Sequence, residues 1–136
     1  MRRDWLVLVL GLLAGAAQAR EVTSWSPFAE ADVVHIVTQD EDGAERETPV
    51  WFVVVAGDGF VRTNDSRWLA NIRRGSRVAL RLGEVERAVT AEEVADAGVS
   101  AAVEEAFKAK YGLFQRIMSA LRMREPSVLR LREQAA

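Results

Sequence analysis

Arg62-Thr63-Asn64-Asp65-Ser66-Arg67 puts two guanidinium groups, two hydroxyls and a carboxamide within six residues, with one acid among them. Guanidinium groups pair bidentately with phosphate or carboxylate oxygens, and hydroxyls add donors. Where such a turn leads into a helix, free backbone N–H groups attract anions as well. These types at this spacing describe a receptor for a phosphoryl-sized anion. The wider stretch Gly59–Leu82 holds six arginines, at 62, 67, 73, 74, 77 and 81, against Asp65 alone, in a chain of 136 residues with a formal charge of −2. A plainer reading stands beside this one. Arg73, Arg74, Arg77 and Arg81 then form a solvated face paired with Glu84, Glu86, Glu92 and Glu93, and the 62–67 side chains only cap a helix. A nucleic-acid surface is disfavoured, because the patch is small, the chain is acidic and aromatic residues are not interleaved.

Other chemistries are bounded by what is absent. The chain has no cysteine and one histidine, His35, so disulfides, thiolate catalysis and multi-histidine metal sites are excluded. His35 lies in an apolar run and reads as a structural residue before a proton donor or haem ligand. No catalytic residue can be named and no metal site is expected. Glu92, Glu93 and Asp96 could supply paired carboxylates, but next to a turn they read as a solvated helix start.

The elements that must position the arginine-rich turn follow from punctuation and period. Residues 1–19, MRRDWLVLVLGLLAGAAQA, join a basic start to an apolar run and a small-x-small ending at Ala17-Gln18-Ala19. That is the plan of an export signal cleaved near Ala19, by the general secretory route rather than the twin-arginine one. A membrane anchor formed by residues 5–17 is the alternative, although that run is short for a span. Cleavage leaves 16 basic and 19 acidic side chains in an exported, periplasmic or secreted chain without stable membrane insertion. Residues 20–136 then make one domain with one core.

In that domain Ser26 is expected to cap a short helix with Pro27 at its first position. Strands are expected at Val33–Thr38, Glu47–Val55, Phe60–Thr63, Val78–Leu82 and Glu86–Val94, with a closing strand at Val128–Leu131. Asp42-Gly43 and Gly57-Asp58-Gly59 mark hairpin turns. A helix capped by Asp65 or Ser66 buries Trp68, Leu69 and Ile72 and stops at Gly75. Val99, Val103, Phe107, Phe114, Ile117, Met118 and Leu121 describe one long helix, or two broken at Gly112. The whole is mainly β with α: a small antiparallel barrel of about six strands, a short helix between the third and fourth, and a C-terminal helical segment.

The run TPVWFVVVAGDGFVRTNDSRWLANIRRGSRVALRL resembles the flavin-binding split β-barrels of the pyridoxamine-phosphate-oxidase-like superfamily. There a strand, a tight turn and a second strand precede a Thr-Asn…Ser-Arg-Lys phosphate-binding turn. Trp68, Asn71-Ile72, Val78–Leu82, Gly83, Lys110-Tyr111-Gly112 and Val128–Leu131 extend the resemblance toward the deazaflavin-dependent nitroreductase branch, over residues 31–132. The resemblance implies a cofactor phosphate on Arg62, Thr63, Asn64, Ser66 and Arg67. A flat ring would lie along Pro49-Val50-Trp51, between the protomers of a homodimer. The chain departs from the oxidase pattern at Trp68, which stands where those enzymes carry lysine. Trp68 then packs in the core or walls the pocket, and pyridoxamine-phosphate oxidation itself is disfavoured. Tyr111 either reaches the site from the helical tail or packs against the barrel.

Two functions follow from the resemblance. One is an exported oxidoreductase that uses flavin mononucleotide (FMN) or a deazaflavin coenzyme. The other is a split barrel that holds flavin, haem or another anion without turnover, or that holds no cofactor and serves as a dimeric interaction module.

Overall fold

The protein's structure is a computed structural model that describes residues 25–122 and 126–134, the side chains of 113–122 excepted. The export signal at 1–19 and the alternative anchor at 5–17 lie outside the described residues. So do the side chains of Phe114, Ile117, Met118 and Leu121.

After a 3₁₀ turn at Phe28–Glu30 come strands β1 (Val34–Gln39), β2 (Glu45–Val50), β3 (Val53–Val55) and β4 (Asp58–Thr63). Helix α1 (Arg67–Arg73), strands β5 (Val78–Leu82) and β6 (Val85–Glu93), helix α2 (Ala97–Arg122) and strand β7 (Ser127–Glu133) complete the order. The strands form one antiparallel sheet in the order β2-β1-β5-β6-β7-β4-β3. The last strand in sequence is therefore an interior one, joining β6 to β4.

This is a split β-barrel, mainly β with α. It has seven strands rather than about six, because the TPVWFVVV stretch is two strands and not one. β2 and β3 stand at opposite edges of the sheet, yet only Trp51 and Phe52 separate them. Three Cα–Cα steps reach at most about 11 Å. The twisted sheet must therefore curl until its edges meet, without a ladder between them. The short helix consequently falls between the fourth and fifth strands.

Several local expectations shift for identifiable reasons. Pro27 is the cap of the 3₁₀ turn rather than its first residue, and Ser26 Oγ bonds Glu30 Oε1 at 2.7 Å instead of capping the backbone. The turn before β4 is Ala56-Gly57, both at positive φ (51° and 84°), so Asp58 and Gly59 belong to the strand. Gly59 is required there by packing: a Cβ would lie 2.6 Å from Phe52 Cε1. Ser66 caps α1 by accepting from Leu69 N at 3.2 Å, and Gly75 at φ +94° ends it. α2 is broken at Gly112 (φ 64°, ψ −139°).

Two cores result. Inside the curl, Phe28, Ile36, Phe52, Val61, Trp68, Leu69, Leu80 and Leu129 pack together. On the outer side of β3, β4 and β7, Val53, Phe60 and Val128 pack against Val103 and Phe107 of α2. The unladdered link is held from α2. Lys110 Nζ donates to Phe52 O (2.6 Å) and Ala29 O (3.1 Å). Tyr111 Oη accepts from Phe52 N (3.0 Å) and donates to Asp32 O (2.8 Å). Burial pushes the Lys110 ammonium below its usual pKa and the Tyr111 phenol above its own.

Tyr111→Phe removes the acceptor for Phe52 N–H while leaving the ring in place. Thermal or urea unfolding should show a loss of about 1–3 kcal/mol, the cost of an orphaned buried amide. An unchanged midpoint would mean that the link closes without this bond.

Candidate functional site

The turn that follows β4 faces the end of β2 across a cleft of about 530 Å³. All nine residues expected from the sequence line it: Pro49, Val50 and Trp51 from β2 and the link, and Arg62, Thr63, Asn64, Ser66, Arg67 and Trp68 from β4, the turn and α1. Val33, Arg46, Thr48 and Phe107 complete the wall. The volume lies within the range of small-molecule sites.

Each side chain's place follows from its element. Strand alternation separates Arg62 from Thr63, although they adjoin in sequence. Arg62 shares the outer face of β4 with Phe60 and meets α2. Its guanidinium bonds Glu104 Oε2 and lies 4.0 Å over the Phe107 ring. Its side chain is only 8% exposed. Arg62 thus stands at the cleft with its charge already engaged.

Thr63 lies on the opposite face, and its hydroxyl has no partner among the described residues. Ser66 Oγ receives Leu69 N–H, which leaves its own proton to donate. Asn64 Oδ1 is buried and no donor among the described residues reaches it. Arg67 is exposed on the cleft, with no hydrogen bond or ion pair among the described residues. α1 has only seven residues and Ser66 occupies the Leu69 amide. The positive character of the turn therefore comes from Arg67 rather than from the helix.

Trp68 is both core and wall: it is 3% exposed, belongs to the inner core and lines the cleft. Trp51 stacks on Tyr111 at 4.2 Å with an interplanar angle of 6°. Tyr111 thus anchors the link and backs the Trp51 ring. Phe52, next to it, points the other way into the core and is fully buried.

Arg46 escaped the sequence reading. It sits between Glu45 and Glu47 and reads as part of a charged edge. Counting back by twos from buried Val50 through Thr48 reaches it, and that period was the available signal. Asp40 holds it in place: Arg46 Nε reaches Asp40 Oδ1 at 2.8 Å and Nη2 reaches Oδ2 at 3.0 Å. Asn71, almost fully buried, donates from Nδ2 to Asp40 Oδ1 (2.9 Å) and to Thr38 Oγ1 (3.0 Å). The Arg46 guanidinium, with Asn71 in support, lowers the Asp40 carboxyl to a pKa of about 2.

The remaining arginines disperse over the surface. Arg73 pairs with Glu93, and Arg81 with Glu45, Glu47 and Glu86. Of the four expected acids, Glu86 and Glu93 take part, while Glu92 pairs with Arg130 instead. Arg74 Nη2 bonds Gln39 O and Asn71 Oδ1. His35 is partly exposed, not enclosed, with Nδ1 3.3 Å from Glu47 Oε2. Among the described residues no group of three or more His, Asp or Glu could hold a metal ion, and no helix is long and apolar enough to cross a membrane.

The family model described as "Uncharacterized protein conserved in bacteria (DUF2255)" matches residues 25–131. The chain belongs to the DUF2255 family. No curated protein matches it in sequence. In structure the DUF2255 chain is similar to HutZ, described as the heme storage protein from Vibrio cholerae, with TM-score 0.63 and 16% identity over 80% of this chain and 87% of that one. It is also similar to a FAD-binding protein from Mesorhizobium loti, with TM-score 0.57 and 14% identity over 86% and 88%. A third structure is a Clostridium acetobutylicum protein of the pyridoxinephosphate oxidase family, with TM-score 0.59 and 14% identity over 85% and 84%. The fold is the split barrel of the pyridoxamine-phosphate-oxidase-like proteins, one whose members include flavin-, FAD- and haem-binding proteins.

Asp40→Asn tests the brace behind Arg46. A carboxyl whose pKa falls from 3.8 to about 2 on folding stabilises the fold above 3.8, and that contribution disappears as pH drops through 2. The variant should melt below wild type at pH 7, and the two melting curves should converge as pH approaches 2. A constant gap across that window would contradict the assignment.

Proposed function

We propose that this cleft binds a flat aromatic cofactor through its anionic tail, and that the protein is a flavin- or deazaflavin-binding oxidoreductase of the split-barrel class. One observation carries the reading. Trp51, backed by Tyr111, and the donors of Thr63, Ser66 and Arg67 face a single cleft of about 530 Å³.

The residues present suit such a ligand. Thr63, Ser66 and Arg67 offer donors to a phosphoryl group. Buried Asn64 Oδ1 can accept from a hydroxyl or ring N–H, which would satisfy it. Trp51 offers a ring face held rigid from behind. A bound flavin or deazaflavin would supply the hydride or electron transfer. The chain's part is to bind, orient and exclude water. Among the described residues the ionisable side chains lining the cleft are Arg46, Arg62 and Arg67, and a guanidinium is a donor of hydrogen bonds rather than a proton-transfer group.

That same lining favours a second reading, in which the cleft holds flavin, haem or another anionic ligand without turnover. No general acid or base stands at the wall among the described residues, and Trp68 replaces the lysine of the oxidase pattern. The fold neighbours, one described as a heme storage protein and another as FAD-binding, support both readings. A homodimer and export with removal of residues 1–19 belong to the proposal as well, supported by the split-barrel resemblance and by the N-terminal sequence pattern.

The absorption spectrum of the purified protein, recorded before and after adding FMN, separates these readings. Flavin bands that bleach when an electron donor is supplied and return on turnover support the oxidoreductase. A Soret band supports haem. A protein that stays colourless and leaves added FMN unbound removes the cofactor assignment. Where FMN binds, the Thr63→Ala, Arg67→Ala double variant should weaken it by about 2 kcal/mol, roughly thirtyfold.

A further inference from the structure

Three guanidinium groups line the cleft, yet they do not offer three charges. Arg46 is held in a two-bond pair by Asp40. Arg62 is bonded to Glu104 and pressed on Phe107. Arg67 alone makes no hydrogen bond or close ion pair among the described residues, and the acid that feels its charge, Asp40, is already bonded to Arg46.

We infer that Glu104, which lies outside the cleft on α2, sets the ligand's charge class: by compensating Arg62 it leaves one net guanidinium, so the cleft takes a single phosphoryl or carboxylate group rather than a diphosphate or polyanionic tail. This rests on the anion-binding reading above and adds the class of anion to it. Arg62 is the partition between two cavities. It lines the cleft on one side and, on the other, a second cavity of about 490 Å³ formed with Glu93, Ser100, Glu104, Pro126 and Ser127. Glu104 lines only the second, so its carboxylate draws the guanidinium away from the turn that holds Thr63 and Ser66. Glu104 is thus a positioning residue that acts through Arg62. A buried arginine bonded to a carboxylate presents little field to a ligand on its far side, whereas the same arginine beside a neutral amide presents a full charge.

Inorganic phosphate and pyrophosphate serve as probes, titrated calorimetrically or through the fluorescence of Trp51 and Trp68. Wild type should bind the two within a fewfold of each other, and Arg67→Ala should lose both. Glu104→Gln keeps the side chain's size and can still accept a bond from Arg62. It should favour pyrophosphate over phosphate by on the order of tenfold more than wild type, with a steeper dependence on salt. The Arg62→Gln, Glu104→Gln double variant should return to the wild-type ratio.

If wild type binds neither probe, the anion reading fails and this inference with it. If wild type binds phosphate through Arg67 but prefers pyrophosphate by tenfold or more, only the role of Glu104 is overturned. A folded Glu104→Gln protein with an unchanged ratio overturns it too. Should Glu104→Gln not fold, the wild-type ratio and the double variant still decide.

Discussion

Two residues, Trp51 and Phe52, join strands that lie at opposite edges of a seven-stranded sheet, and the cleft exists because of that connection. A sheet bridged so tightly must curl until its edges approach. The bridge itself has no strand neighbour, and its peptide groups must find partners elsewhere or remain buried without them. The side chains of Lys110 and Tyr111 supply those partners to both sides of Phe52. α2 is therefore more than a cover for the outer face of β3 and β4. It replaces the missing ladder, and it ends its first half at Gly112, one residue after the second of these contacts. Because Tyr111 also lies flat against Trp51, the device that closes the barrel also fixes the ring at the cleft wall.

Charge is arranged with the same economy. An acidic chain concentrates six arginines between β4 and β5, and the fold then separates them. Helix and strand periods send Arg73, Arg74 and Arg81 outward, where Arg73 and Arg81 meet glutamates from β2 and β6. Exposed pairs of this kind add little stability. Their effect is to remove the arginines from the field of the cleft. The pair of largely buried Arg62 and partly exposed Glu104 does the same at closer range. What remains at the turn after β4 is one guanidinium with no bonded acid among the described residues, flanked by two hydroxyls.

Much of this was legible in the sequence where the determining interaction is local. Ser66 caps α1 and Gly75 ends it because both act on the backbone within a few residues. The nine side chains around the cleft come together because six belong to one continuous turn and three to one strand end. What the sequence concealed is non-local. Pro49 is the mark of an edge strand, but nothing within VWFVVV distinguishes one long strand from two, since each of those residues favours a strand. The break arises only when β3 pairs with β4 and β2 with β1. Arg62 adjoins Thr63 in sequence, but its partner lies 42 residues away on α2. Arg46 was hidden by its acidic neighbours, although the two-residue period running back from Val50 leads to it.

The wall of the cleft constrains mechanism more strongly than its shape does. Catalysis by proton transfer needs a group whose pKa lies near the working pH, and the guanidinium of arginine is not such a group. Nucleophilic catalysis needs an activated hydroxyl, thiol or amine. Ser66 and Thr63 have no base beside them among the described residues, and the chain contains no cysteine. Side chains that can grip, stack and exclude water, without exchanging protons, can act chemically only by holding something reactive. The same set suits simple storage of such a ligand. If the cleft holds the flat ring proposed above, the difference between an enzyme and a binding protein on this scaffold lies in whether a second molecule can reach that ring, and not in any further described residue of the wall.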